Sequence, residues 1–297
     1  MSPASALRLV VLSAIWGASF LFTRIGAPVL GPALLIELRV ALAALFLAAV
    51  GAVLGRRLQW RRHWRHYLVL GGFNSALPFL LFAFAARTLP ASLLSIVNAT
   101  SPLWAAVIGA AWTRTALPRR SVLGLALGVV GVAVLVGFDP AALRDGAPQA
   151  IGLGLAAALS YGVATQYARS AIKVEPYANA HGSMWAAALL VAPALPFASH
   201  AAMPGPGLAA MVLALGVVCS GLAYLLYFRL VQDIGAAPAL TVTFLVPVFG
   251  VGWGHLVLGE PVGWGTAAGA GIVIAGTALV TGFSPRALFG RRMTPAP

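Results

Sequence analysis

The sequence predicts an all-α integral membrane protein of ten transmembrane helices, arranged as two inverted five-helix repeats. Three observations predict it. First, 61% of the 297 residues are hydrophobic and only 8% are charged, against about a quarter charged in soluble domains. Second, uncharged stretches long enough to span a bilayer core of about 30 Å recur along the whole chain. Third, the sequence repeats on itself without a gap at an offset of 145 residues.

Ten spans are expected, over residues 7–24, 33–54, 67–86, 91–113, 120–138, 150–168, 176–197, 207–228, 236–258 and 262–283. Backbone groups in lipid must pair internally, so the spans are helical. The first follows a lone Arg8 and resembles a signal peptide at its start. Its apolar run continues to Thr23 and ends in Arg24, which favours a retained helix.

The charges orient the bundle. With the N-terminus cytoplasmic, that side carries Arg8, Arg56, Arg57, Arg61, Arg62, Arg65, Arg114, Arg119, Arg120, Arg169, Lys173, Arg229, Arg286, Arg291 and Arg292. The opposite side carries Arg24, Arg87 and Arg144, and Arg39 lies within the second span. Cytoplasmic loops are enriched in Lys and Arg, so both termini are expected in the cytoplasm. The net charge of +13 is therefore a topology signal, with anionic lipid as partner, and nucleic-acid binding is not expected. The basic stretch RRLQWRRHWRH (56–66) fits the same interface.

The repeat pairs Gly17 with Gly162, Arg24 with Arg169, Gly71 with Gly216, Ser75 with Ser220 and Pro102 with Pro247. It also pairs Gly124, Gly131 and Gly137 with Gly269, Gly276 and Gly282. Each copy holds an odd number of spans, so the second enters the membrane from the other side. The domains expected are 5–138 and 150–283, followed by a cytoplasmic tail, 284–297.

Pro102 and Pro247 fall at matching places in the fourth and ninth spans. Proline removes a backbone donor, which frees the carbonyls of Asn98 and Thr243. Interrupted helices at matching places in two inverted halves point to the substrate site of a transporter. Asn98 and Thr243 are therefore expected at the site and the two prolines at helix breaks.

The chain resembles the EamA-type members of the drug/metabolite transporter superfamily. The resemblance rests on SAIWGASF in the first span, ELRVALAALFL in the second, and SPLWAAVIGAAW and LVPVFGVGWGHLVLGEPVGWGTAAGAGIVIAGTALV at the ends of the two copies. It implies export of small metabolites such as amino acids across the cell inner membrane, and it extends to aromatic amino-acid exporters of the YddG type. The family pattern often places a Glu after the fourth span, as Glu260 stands after the ninth; the first copy has Thr115 there.

Aromatic cargo suits Trp16, Phe79, Tyr161 and Tyr224, which are paired by the repeat as Trp16 with Tyr161 and Phe79 with Tyr224. Asn74 adds a neutral polar group within the third span. Glu37 is the carboxylate placed to carry a coupling proton, because intramembrane charges are functional by default. For Arg39 the resemblance implies a structural role. Gly124, Gly128 and Gly131, with Gly265, Gly269, Gly271 and Gly276, form small-residue stripes that suit helix packing or a homodimer face.

No cofactor is expected and no metal site. Six acidic residues in all, no His-Glu-x-x-His pair and no Walker A loop argue against an enzyme. A channel or lipid scramblase is the alternative within the membrane. Saturable counterflow marks a carrier, non-saturable flux a pore, and product formation an enzyme.

Overall fold

The computed structural model describes residues 2–138, 145–197, 205–239 and 241–282. Arg144 and the tail 284–297 with Arg286, Arg291 and Arg292 lie outside the described residues.

Everything regular among the described residues is helical. The order is α1 (Pro3–Leu30), α2 (Pro32–Val53), α3 (Trp60–Gly71), α4 (Leu77–Ala85), α5 (Ala91–Asn98), α6 (Ser101–Thr113) and α7 (Arg119–Phe138). It continues with α8 (Ala147–Ser170), α9 (Pro176–Val191), α10 (Pro206–Leu213), α11 (Ala223–Ile234), α12 (Ala236–Ala239), α13 (Val242–Leu258) and α14 (Trp264–Thr281). A π-helical segment, Gly72–Ala76, joins α3 to α4, and another, Ala214–Leu222, joins α10 to α11.

Among the described residues, eight rods are long and apolar enough to cross a membrane. Two expected spans come out shorter. α9 has 16 residues and α13 has 17. α9 tightens into a 3-10 turn over Ala192–Phe197, where Pro193 and Pro196 withhold donors. In place of the single 236–258 span, α12 and α13 are separate, with a turn at Thr241.

α1 runs to Leu30, beyond the expected stop at Arg24. Arg24 does not need to leave the bundle: its Nη1 donates to the carbonyls of Ala86 and Arg87 at 2.6 and 3.0 Å. The guanidinium thus satisfies carbonyls that the end of α4 leaves open.

Close contacts obey the 145-residue offset. α1 packs on α13 through Gly17, where an added Cβ would lie 2.7 Å from Phe249 Cβ. α8 packs on α6 through Gly162, where a Cβ would lie 2.9 Å from the backbone of Ala105. Shifted by the offset, Phe249 is Trp104 and Gly250 is Ala105. Gly71 sits on Ser183 and Ala187 of α9, and Gly216 on Arg39 and Leu42 of α2. α7 and α14 cross at Gly124 against Gly276 and again at Gly131 against Gly269, each pair being the image of the other. Small residues let helix backbones approach this closely where lipid supplies no hydrophobic drive between helices.

Candidate functional site

The two π-helical segments lie at corresponding places in the two halves and build the polar centre of the bundle. A widened turn misaligns the helical ladder, and in a membrane the freed groups need partners from side chains. Ser160 donates to the carbonyl of Phe73 at 2.7 Å, and Ser220 donates to that of Leu215 at 3.1 Å. The Cys219 thiol donates to the carbonyl of Ile15 at 3.4 Å. Both segments bring polar side chains inward, Asn74 and Ser75 from the first and Cys219 and Ser220 from the second; of these, Ser75, Cys219 and Ser220 are fully buried.

Asn74 Nδ2 donates to the Tyr224 hydroxyl at 3.0 Å, joining the two halves. The enclosed Ser75 hydroxyl lies beside the same phenol without a well-aligned bond. Trp16 meets Tyr224 edge-on with ring centroids 6.4 Å apart and packs on Tyr227 at 5.6 Å. Phe82 packs between Tyr161, with ring centroids 6.4 Å apart, and Phe20, which it meets edge-on at 5.4 Å.

Arg39 lies at the middle of this set. Its Nε donates to the Ser220 hydroxyl at 2.9 Å, and its guanidinium carbon sits 3.6 Å from the centre of the Phe79 ring. Tyr161, Cys219 and Tyr224 are within its electrostatic reach. Five expected site residues thus gather around one centre: Trp16 and Asn74 each against Tyr224, Phe79 and Tyr161 around Arg39. The resemblance implies a structural role for Arg39, and the expected spans include neither π turn. The signal was the pairing of Ser75 with Ser220, each four residues after a paired glycine.

The proline residues act differently from one another. Pro102 stands in the first turn of α6, after a turn at Ala99–Thr100 that ends α5. The carbonyl it frees, that of Asn98, accepts from the Ser101 hydroxyl at 2.6 Å. Val97 and Ala99 carbonyls accept from Thr100 and Thr277 at 2.7 and 2.9 Å. This break is satisfied by protein hydroxyls. Pro247, expected at a break, instead lies inside α13; its rod is interrupted earlier, before Val242. Asn98 is half-buried and its amide bonds no described residue, whereas Thr243 is half-buried one residue into α13.

Glu37 is half-buried, with Oε2 enclosed and unbonded among the described residues. Glu260 is engaged: Oε1 accepts from the backbone of Ala91 at 2.7 Å and Oε2 from that of Ser92 at 3.0 Å. A carboxylate at the start of α5 satisfies donors that the helix cannot and meets the positive end of its dipole. Among the described residues, no group of three or more His, Cys, Asp or Glu is gathered to hold a metal.

Two stretches of the chain, 4–137 and 148–282, match the EamA-like transporter family. An uncharacterized transporter of Archaeoglobus fulgidus is 22% identical over 266 residues, spanning 89% of this chain and 94% of that protein. The uncharacterized transporter YvbV of Bacillus subtilis is 25% identical over 285 residues, spanning 93% of this chain and 91% of that protein. One crystal structure superposes with a TM-score of 0.65 at 19% identity, covering 94% of this chain and 96% of that one, which is a likeness of fold.

Proposed function

The chain belongs to the EamA-like transporter family, and from that premise we propose that it is an exporter of neutral amino acids, aromatic ones first, across the inner membrane. Membership makes it a multi-pass membrane protein that moves small molecules by secondary transport. The amino-acid cargo, the YddG-like character and the direction are our reading.

The observation that carries it is the bond from Asn74 to Tyr224 at 3.0 Å. It ties a buried polar centre to aromatic rings drawn from α1, α4, α8 and α11. An amphipathic solute with an aromatic body suits such a lining, because rings offer apolar faces while the hydroxyl and amide fix orientation.

The mechanism proposed is alternating access by two five-helix halves of opposite orientation, with ten crossings, α9 and α13 included. Support comes from the reciprocal packing between the halves: Gly17 of the first on Phe249 of the second, and Gly162 of the second on Ala105 of the first. Such halves can exchange shapes and so open the centre to either side. The distribution of Lys and Arg favours cytoplasmic termini. Glu37, with its enclosed oxygen, is the group assigned to proton coupling.

Counterflow into proteoliposomes tests the reading. Preloaded unlabelled phenylalanine is expected to drive saturable uptake of the labelled compound. Glu37→Gln is expected to keep counterflow and lose acceleration by a pH gradient. Linear, non-saturable uptake indicates a pore and refutes the proposal.

A further inference from the structure

We infer that Arg39 anchors the carboxylate of the cargo, so that this transporter selects compounds bearing a free carboxylate over amines of the same shape. The inference rests on the transport reading above and deepens it.

Arg39 is 7% exposed, on a helix placed within the membrane. A buried cation in such a setting carries a large desolvation penalty unless a counter-charge and hydrogen bonds offset it. Among the described residues Arg39 receives one bond, from Nε to Ser220, and one ring face, from Phe79. The two terminal nitrogens bond no described residue.

The acidic residues among those described, Glu37 aside, are engaged or placed elsewhere. Glu260 is held by Ala91 and Ser92. Glu175 caps Ala178 and faces Arg56. Asp233 pairs with Arg8 and Arg229. Asp145 is exposed in the turn before α8, and Asp139 lies outside the described residues. Glu37 is two residues away on the same helix, a spacing that puts side chains on different faces, and it forms no ion pair with Arg39.

The arrangement defines the missing partner by its chemistry. Phe79 covers one face of the guanidinium and Ser220 fixes Nε, so the edge carrying the two terminal nitrogens remains. That edge matches a carboxylate in a two-bond fork, a geometry that lysine does not reproduce. Tyr161 and Tyr224 near it, with Trp16 against Tyr224, suit an organic body over a small inorganic anion.

Two measurements with one set of probes test the inference. The probes are L-phenylalanine, 3-phenylpropionate, phenethylamine, and sodium chloride or phosphate at matched ionic strength. Thermal unfolding of the purified wild-type protein reads binding, and proteoliposome counterflow reads transport. Both carboxylates are expected to stabilise the protein at concentrations about tenfold or more below those phenethylamine requires, and the inorganic anions are expected to do neither. Arg39→Gln is expected to erase that preference, and Arg39→Lys to restore part of it.

Equal stabilisation by phenethylamine and phenylalanine overturns the inference while leaving transport intact. So does a preference that survives in Arg39→Gln, or chloride or phosphate matching the carboxylates. A series in which no carboxylate binds overturns it too. Carboxylate binding without any counterflow keeps the anchor and refutes the transport reading. If Arg39→Gln does not fold, the wild-type comparison of acid with amine still decides.

Discussion

Asn74 and Tyr224 form a hydrogen bond of 3.0 Å between side chains 150 residues apart in sequence. One stands in the first π-helical segment and the other two residues after the second. The bond therefore links the matching irregular turns of the two halves, at the place where Trp16 meets Tyr224.

If this bond positions cargo, its two partners act as a unit. Tyr224→Phe and Asn74→Ala are each expected to lower phenylalanine counterflow about threefold to tenfold, the range of one buried hydrogen bond. The double variant is expected to lose no more than the worse single one, because groups in one network are not additive. Losses that multiply in the double variant would show two independent roles. Asn98→Ala and Thr243→Ala, the variants suggested by the proline argument, are expected to lower the rate with protein level unchanged. Normal transport by both would remove these two residues from the site.

Glu260 supports the start of α5 from across the molecule. Glu260→Ala is expected to reduce stability by about 2–3 kcal/mol, because two buried N–H groups lose their acceptor. Glu175→Ala removes a comparable cap from Ala178, but that carboxylate is 49% exposed and water replaces it. Its cost is expected to be about 1 kcal/mol or less. Thermal unfolding in detergent ranks the two, and equal losses would contradict the buried-cap account.

The α7–α14 crossing gives a contrast within one helix. A Cβ on Gly276 would lie 2.5 Å from the carbonyl oxygen of Gly124, whereas one on Gly271 would meet nothing within 4 Å. Gly276→Ala is expected to destabilise by about 1–3 kcal/mol through forced separation. Gly271→Ala is expected to be neutral or to stabilise by up to about 1 kcal/mol from helix propensity. The order of the two unfolding midpoints checks the packing directly.

Much of this architecture is legible in the sequence because lipid imposes a simple code. Apolar length marks the rods, and the paired glycines Gly124 and Gly269 mark the crossing they later form with Gly276 and Gly131. Rod ends were less legible. Arg24 looked like a terminus until the carbonyls of Ala86 and Arg87 appeared beside it, and such long-range partners leave no local pattern. The two prolines fare differently: Pro102 stands at a break between α5 and α6, as expected, and Pro247 does not mark one. Pro102 is followed by no unmet backbone demand, since Ser101 meets the Asn98 carbonyl, and Pro247 is absorbed within α13. The π turns carry no proline of their own, and the pairing of Ser75 with Ser220 marks their place without showing that the turn is widened. Arg39 became a site residue because Phe79 and Ser220, far apart in the chain, converge on it.

The central claim is that the two halves cross the membrane in opposite senses. Single cysteines at Trp60 and at Gly205, each in a Cys219→Ala background, can be labelled in intact cells with a membrane-impermeant thiol reagent. The account predicts that position 205 is labelled from outside, and that position 60 is labelled only after the membrane is opened. Labelling of both from the same side would contradict it.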